Sequence, residues 1–370
     1  MPAQVTRDGA EMPFQLKTKM EICRARLRYG RKSMGLDTIG KAGALSVALF
    51  LGVGVAAAHA QTIELKLSHF IPPNHTFHKW AVAWTEELSQ QSGGRLKFQI
   101  YPNGQLVGPP NRQFDAARNG ITDMAFVLHG VTPGRYATTE LVNLAFSWPK
   151  AGSSSSITSR RLSELAATYL AKEHEGLHIL FMAAAMPILI YSSVPIAKLD
   201  DFKGVKIRYA GVQNRNLLDS LGAVPLLIAP PEAQDAIAKG IIQGATFPHE
   251  AALSLDLGTV AKHATEPGLS TAPFAFVMNP AKYNSLPTDL KALIDKSTGP
   301  AAAEKFGKQW EAEEKRARDE LIKQGVQIHV LSEADVAEIK RRVAPQVEAA
   351  VAAVEKAGKP GRKFLEEYTK

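Results

Sequence analysis

The residues best able to do chemistry are few, and their spacing is poor for it. His249-Glu250-Ala251-Ala252 opens like a zinc-protease helix, where two histidines four apart hold the metal and the glutamate acts as base. Position 253 is Leu, so the second ligand is missing. His75 and His78 stand three apart with His69 nearby. A metal needs further ligands, so these three read as loop and helix-surface residues and no metal or other cofactor is expected. Glu86-Glu87 and Asp200-Asp201 are adjacent in sequence, and adjacent helical residues do not face each other; they read as solvated charges. From residue 61 onward there is no Gly-x-Ser-x-Gly elbow, no phosphate loop ending in Gly-Lys-Ser/Thr and no dinucleotide glycine fingerprint. His249 and Glu250 could still serve a secreted enzyme as acid and base. That reading needs a second catalytic group within hydrogen-bond reach, and the sequence places none.

The elements that must position these residues alternate between two periods. Ile63, Leu65 and Leu67 alternate with polar neighbours, as in a strand with one covered face. Phe77, Trp80, Ala81, Trp84 and Leu88 recur at helical spacing, and Gly93-Gly94 ends that helix. Leu96, Phe98 and Ile100 alternate again, a short helix spans about 111–119, and Met124–Leu128 is a continuous apolar strand. This β-α-β-α-β order predicts a lobe with a largely parallel sheet.

A serine-rich loop, Pro149 to Ser159, leads to a helix over 160–172. Strands at Ile179–Met182, Leu189–Tyr191 and Val205–Tyr209, with short helices between later segments, predict a second α/β lobe. After Phe274–Met278 the chain turns mostly helical. Phe306, Trp310, Ala317 and Leu321 give one long helix an apolar face, and Ser332 caps a final one. No internal repeat is apparent. The predicted fold class is therefore α/β, two-lobed, with a ligand cleft between lobes and long C-terminal helices. The lobes are drawn as 61–185 plus 274–313, and 186–273 plus 314–370. Ligands in open α/β sheets sit beyond the carboxyl ends of strands. The loops to watch are 68–76, 129–136, 145–149, 185–188, 209–214 and 244–250.

The first 60 residues differ from the rest. Arg24, Arg26, Arg28, Arg31 and Lys32 form a basic run, Ala42 to Ala57 carries no charge, and Ala58-His59-Ala60 is a small-x-small exit. Together these predict a secretory signal cleaved near Ala60 and a periplasmic product. The apolar stretch is shorter than the roughly 20 residues a bilayer span requires. The only cysteine, Cys23, lies in this segment, so the exported chain has neither disulfide nor thiol chemistry. Of the net charge of +8, the first 60 residues hold 9 Lys/Arg against 4 Asp/Glu; the remainder is +3. Such a balance gives no reason to expect nucleic acid as a partner and suits small anions.

Five segments carry a resemblance. Asp200-Asp201-Phe202-Lys203-Gly204-Val205-Lys206-Ile207-Arg208-Tyr209 resembles the "D-hydrophobic-K-G-hydrophobic-K-hydrophobic-R" signature of TRAP transporter solute-binding proteins, the DctP family. Leu221-Gly222-Ala223-Val224-Pro225 follows at the expected distance. Ala236–Gly244 resembles the family's "A-L-x-x-G-V-V-D-G", with Gln243 where Asp is usual. Tyr101-Pro102-Asn103-Gly104-Gln105-Leu106 and Tyr283-Asn284-Ser285-Leu286-Pro287-Thr288-Asp289-Leu290 match two further family motifs. The matches run from about Leu65 to Lys296. They imply a non-enzymatic periplasmic receptor, monomer or dimer, whose two lobes close on an organic acid and hand it to a sodium-coupled TRAP membrane permease. A receptor for an ABC permease shares the two-lobed logic but not these motifs.

The resemblance also implies a site. The family's central arginine maps to Arg208, and a guanidinium fork pairs with a carboxylate by two parallel hydrogen bonds. A second arginine found in some members aligns near Ile188, and an asparagine of the family aligns with Phe247. Two polar contacts thus become apolar, which predicts a carboxylate with an apolar or aromatic body. Candidate wall residues are His69, His129, Trp148, Met186, Phe247 and His249, with Glu250 a candidate partner for a ligand hydroxyl. Trp148 and Met186 also read as ordinary core, and His129 as a cap on the turn at Gly130. Glu250 also reads as an acid placed in a first helical turn by the dipole alone. A sugar acid held through His249 and Glu250 is the competing ligand.

Overall fold

The computed structural model describes residues 62–370. The expected export signal and its cleavage site fall on residues 1–60, outside the described residues. Among the described residues no helix is long and apolar enough to cross a membrane.

The chain runs β1 (Ile63–Ser68), α1 (Thr76–Gln91), β2 (Leu96–Tyr101), α2 (Gln113–Arg118), β3 (Met124–Leu128), α3 (Ser155–Leu165) and β4 (His178–Ala184). It then crosses into β5 (Ile188–Ser192), β6 (Lys206–Tyr209), α4 (Val212–Ser220), β7 (Val224–Leu227), α5 (Ala233–Ala238), β8 (Gly244–Phe247), α6 (His249–Ser254) and β9 (His263–Ser270). It returns as β10 (Pro273–Met278), α7 (Pro280–Ser285) and α8 (Thr288–Lys296). It ends with α9 (Gly299–Lys323), β11 (Gln327–Val330), α10 (Glu333–Lys356) and α11 (Gly361–Thr369). One sheet has the order β2-β1-β3-β10-β4 and the other β11-β9-β5-β8-β6-β7. β1 pairs parallel with β2 and β3, and β6 parallel with β7 and β8. The fold is two α/β lobes, one per sheet.

Each sheet is covered on both faces. The apolar stripe of α1 packs Phe77, Trp80 and Trp84 onto the first sheet, where Phe77 stacks on Phe126 at 3.7 Å and Phe126 on Phe274 at 4.9 Å. The long helix α9 serves both lobes: Phe306 and Trp310 join the first core, and Leu321 joins the second. The C-terminal helices, expected with the second lobe, divide between the two. Ile339 and Val343 of α10 pack in the second lobe, while Val351, Val354, Phe364 and Tyr368 pack in the first. A helix of this length carries an apolar face far enough to reach both cores.

The structure also holds an internal repeat that the sequence conceals. Residues 110–129 and 230–249 superpose in role at a constant spacing, with Pro110/Pro230, Asp115/Asp235, Gly120/Gly240, Ile121/Ile241 and Ala125/Ala245 identical. In each lobe a short helix ends at the glycine and the next strand pairs parallel with its neighbour. Asp123 Oδ2 accepts from the Lys66 N–H at 2.7 Å, and Gln243 Oε1 accepts from the Lys206 N–H at 2.9 Å. The Gln that departs from the family pattern therefore performs the same backbone task as the acid in the other lobe.

Gly307 lets α9 pass directly over the start of α3: a Cβ there would collide with the backbone of Ser155 and Ser156. Gly307→Val should lower the unfolding free energy by about 1–3 kcal/mol through overpacking. A urea midpoint shifted at unchanged slope reads this directly. An unmoved midpoint would mean that the two helices separate without cost.

Candidate functional site

Arg208 stands near the carboxyl end of β6, the position from which parallel strands present groups to ligands. The local sequence explains how it gets there. Asp201 Oδ2 accepts from the N–H groups of Ala197 and Lys198, fixing the turn before the strand. Gly204, at φ +74°, turns the chain so that its N–H reaches Gly222 O, and Val224 N–H then reaches Val205 O to start the β6–β7 pairing. The Asp-x-Lys-Gly motif is thus a device for launching a strand.

The Arg208 side chain is 2% exposed. Its Nε–H donates to Ile228 O and its Nη1–H to Thr246 O, both at 2.9 Å. The guanidinium carbon lies 4.3 Å from the centroid of the Phe247 ring, a cation–π contact. Nη2 has no hydrogen-bond partner, and among the described residues no carboxylate pairs with this arginine. Burial pulls its pKa down to about 9, which leaves it cationic at neutral pH.

Its side chain lines a cavity between the lobes. The first lobe contributes Phe70, Ile71, His75, Leu128 and Phe274 to the wall, and α9 adds Trp310. The second lobe contributes Ala210, Pro230, Thr246, Phe247, Pro248, Ala251 and Leu255. Ala185, Ile188 and Ala272, on the crossings between lobes, close the rest. The cleft is thus lined almost wholly by carbon around one cation.

Of the eight candidate residues, the structure brings Arg208 and Phe247 together at this cavity. The other six lie elsewhere. His69 meets His78 at 3.0 Å, and its sequence neighbours Phe70 and Ile71 face the cavity instead. His129 places Nδ1 2.9 Å from Pro273 O and Nε2 2.8 Å from His174 Nε2; its neighbour Leu128 lines the wall. Trp148 packs edge-on to Phe146, and Met186 packs against the first core. His249 bonds to the Tyr191 hydroxyl at 2.5 Å and to Glu266 at 3.2 Å.

Glu250 is buried just behind the wall. Its Oε1 accepts from the Thr76 N–H at 2.8 Å, and its Oε2 from the Trp310 Nε1–H at 3.1 Å. The residues that sequence reasoning missed, Phe70, Ile71, His75 and Thr246, all sit in loops or strand ends flagged by the fold. Trp310 was read only as the apolar face of a helix. Among the described residues no group of three or more His, Cys, Asp or Glu is close enough to hold a metal ion.

Two covered α/β lobes around a buried cation and a carbon-lined cleft define the class of two-lobed solute-binding proteins. The chain belongs to the family described as bacterial extracellular solute-binding protein, family 7, the DctP family, which it matches over residues 67–353. It is a TRAP-type solute-binding protein, a family of binding proteins rather than enzymes. It is 29% identical to a TRAP solute-binding protein from Rhodoferax ferrireducens T118 in complex with copurified benzoate, with a TM-score of 0.79 over 83% of this chain and 96% of that one. A marine metagenome TRAP protein specific for aromatic acid ligands, in complex with 3-hydroxybenzoate, is 30% identical, with a TM-score of 0.79 over 83% and 97%. The C4-dicarboxylate-binding periplasmic protein of Rhodobacter capsulatus is 25% identical over 68% of this chain and 75% of its own length.

Behind the wall, Glu314 of α9 caps α6, accepting from the N–H groups of His249 and Glu250 at 2.7 and 2.8 Å. Burial pushes the Glu314 carboxyl up to about 8 and the Glu250 carboxyl up to about 7, against the N–H donors that favour their charged forms. The folded chain therefore keeps protons that the unfolded chain has released. This contribution to stability is complete below the unfolded value of 4.5 and is lost as pH rises through 7 to 8. Between about pH 5 and pH 8.5 the Tm of the wild type should fall more steeply than that of Glu314→Gln, which cannot ionise. Parallel melting curves would assign the titration to another group.

Proposed function

We propose that this chain is the periplasmic receptor of a TRAP transporter and that its lobes close on a monocarboxylate with an apolar, aromatic body. The carrying observation is the cation without a counter-ion: Arg208 is buried, partly satisfied by two carbonyls, and has one nitrogen unpartnered at the cavity. A ligand carboxylate supplies both the missing acceptor and the missing charge. One hydrogen bond to a charged group contributes roughly 1.5–3 kcal/mol. The benzoate and 3-hydroxybenzoate of the two related structures support an aromatic acid. A C4-dicarboxylate fits less well. Arg208 is the one cation lining the cavity among the described residues, since burial holds the His75 ring neutral at about 3. A second carboxylate would be buried unpaired, at a cost of several kcal/mol.

The enzyme alternative has little support. The ring nitrogens of His249 are committed to Tyr191 and Glu266, and the carboxylate of Glu250 to Thr76 and Trp310, so neither is free to move a proton in the cavity. Export, cleavage after Ala60 and delivery of the ligand to a sodium-coupled membrane permease complete the reading.

Benzoate at 100 times its dissociation constant should stabilise the purified protein by roughly 2.7 kcal/mol, seen as a raised Tm. Benzamide, of the same shape without the charge, should give no shift. Arg208→Ala should weaken benzoate by roughly tenfold or more. Equal shifts with acid and amide would place the site away from Arg208.

A further inference from the structure

The cavity is lined by four side chains that carry polar atoms: Arg208 and Thr246 from the second lobe, and His75 and Trp310 across the cleft. Thr246 belongs to the carboxylate end, because its carbonyl accepts from Arg208. His75 and Trp310 belong to the opposite wall, where their rings lie 5.7 Å apart.

Glu250 holds the polar edge of Trp310 and stands near that of His75. Trp310 gives its only N–H to Glu250 Oε2. The Nδ1 of His75 accepts from the Phe77 N–H at 3.1 Å, so the ring proton sits on Nε2. That Nε2 lies 3.3 Å from the same Glu250 oxygen. Glu250 itself is 2% exposed and does not line the cavity. Its position is fixed from behind: Thr76 N–H donates to its other oxygen, and Glu314 holds its backbone.

We infer that Glu250 is the specificity-determining residue of the site, binding the indole N–H of Trp310 so that this part of the wall opposite Arg208 meets the ligand only with carbon. The inference rests on the aromatic-acid reading above and deepens it. It makes Glu250 a positioning residue that touches no ligand, in contrast to a direct hydroxyl contact. The preferred ligand is an aromatic monocarboxylate with no polar group on its far side. A ring hydroxyl placed against Trp310 leaves water and finds no free donor or acceptor there, which should weaken binding roughly tenfold or more.

The test is a set of calorimetric titrations of the purified protein at pH 8 with benzoate, 3-hydroxybenzoate and 4-hydroxybenzoate. In the wild type the hydroxylated acids should bind roughly tenfold or more weakly than benzoate. Glu250→Ala frees the Trp310 N–H, and the ratio of dissociation constants should fall to about three or less for at least one hydroxylated acid. Glu250→Leu, which also lacks an acceptor, gives the same readout should the alanine variant not fold. Adding Trp310→Phe to the Glu250 variant should restore discrimination, since the freed donor is then gone. A wild-type ratio near one overturns the inference, and so does an unchanged ratio in the Glu250 variants. Failure of all three acids to bind the wild type overturns the aromatic-acid reading itself, which is a different result from benzoate binding without discrimination.

Discussion

An arginine that the protein buries without neutralising is the constraint from which the rest of the site follows. Burying a guanidinium costs several kcal/mol unless its charge and its donors are met. Two carbonyls and the face of Phe247 meet part of that cost for Arg208, and no carboxylate among the described residues meets the remainder. The cleft is therefore incomplete alone. Under the proposed function a carboxylate ligand would bind a closed form better than an open one, and only such a difference in affinity shifts a population. The cation proposed to recognise the ligand would then also set the condition for closure.

Closure needs the lobes to be tied at defined points, and these ties surround the strand that bears Arg208. Gly211 begins α4 with no side chain to cap it, and its N–H donates to Gly130 O of the first lobe. Asn143, also of the first lobe, accepts from the Asn214 N–H and donates to Thr271 O on the return crossing. The N-terminus of α4 is thus capped from across the cleft. On the far side, α9 carries Trp310 to the cavity wall and Glu314 to the start of α6, so one rigid helix holds parts of both lobes in register.

Much of this was legible from residue order. The alternation of Ile63, Leu65 and Leu67, the helical spacing of Phe77 to Leu88 and the long face of α9 all read correctly, because each depends on local period alone. Strand β9 did not, because Pro267 and Gly268 sit inside it and both weaken any strand signal. The repeat stayed hidden because equivalent tasks fell to different residues, Asp123 in one lobe and Gln243 in the other. At the site, the loops were legible and the side chains were not. Successive residues at a strand end point to opposite sides, so choosing His69 over Phe70, or His129 over Leu128, depends on a parity that only packing fixes. Arg208 escaped that ambiguity through its motif, and Glu250 was near the site in sequence yet behind its wall in space.

The repeat also bears on the single charge of the proposed ligand. In the first lobe Ser68 pairs with Ala125, and in the second Arg208 pairs with Ala245, so Ser68 occupies the position that Arg208 holds. A cation at both places would build a site for two carboxylates, one per lobe. Here the first lobe carries a small neutral residue at that position and puts Phe70, Phe274 and Leu128 into the cavity beside it. His129 and His249 are equivalent in the same way, and both are engaged with protein partners outside the cavity. One duplicated scaffold therefore yields an asymmetric site, with both lobes lending carbon to the wall and one lobe alone supplying a cation. The proposed preference for a monoanion with an apolar body rests on that asymmetry more than on any single wall residue.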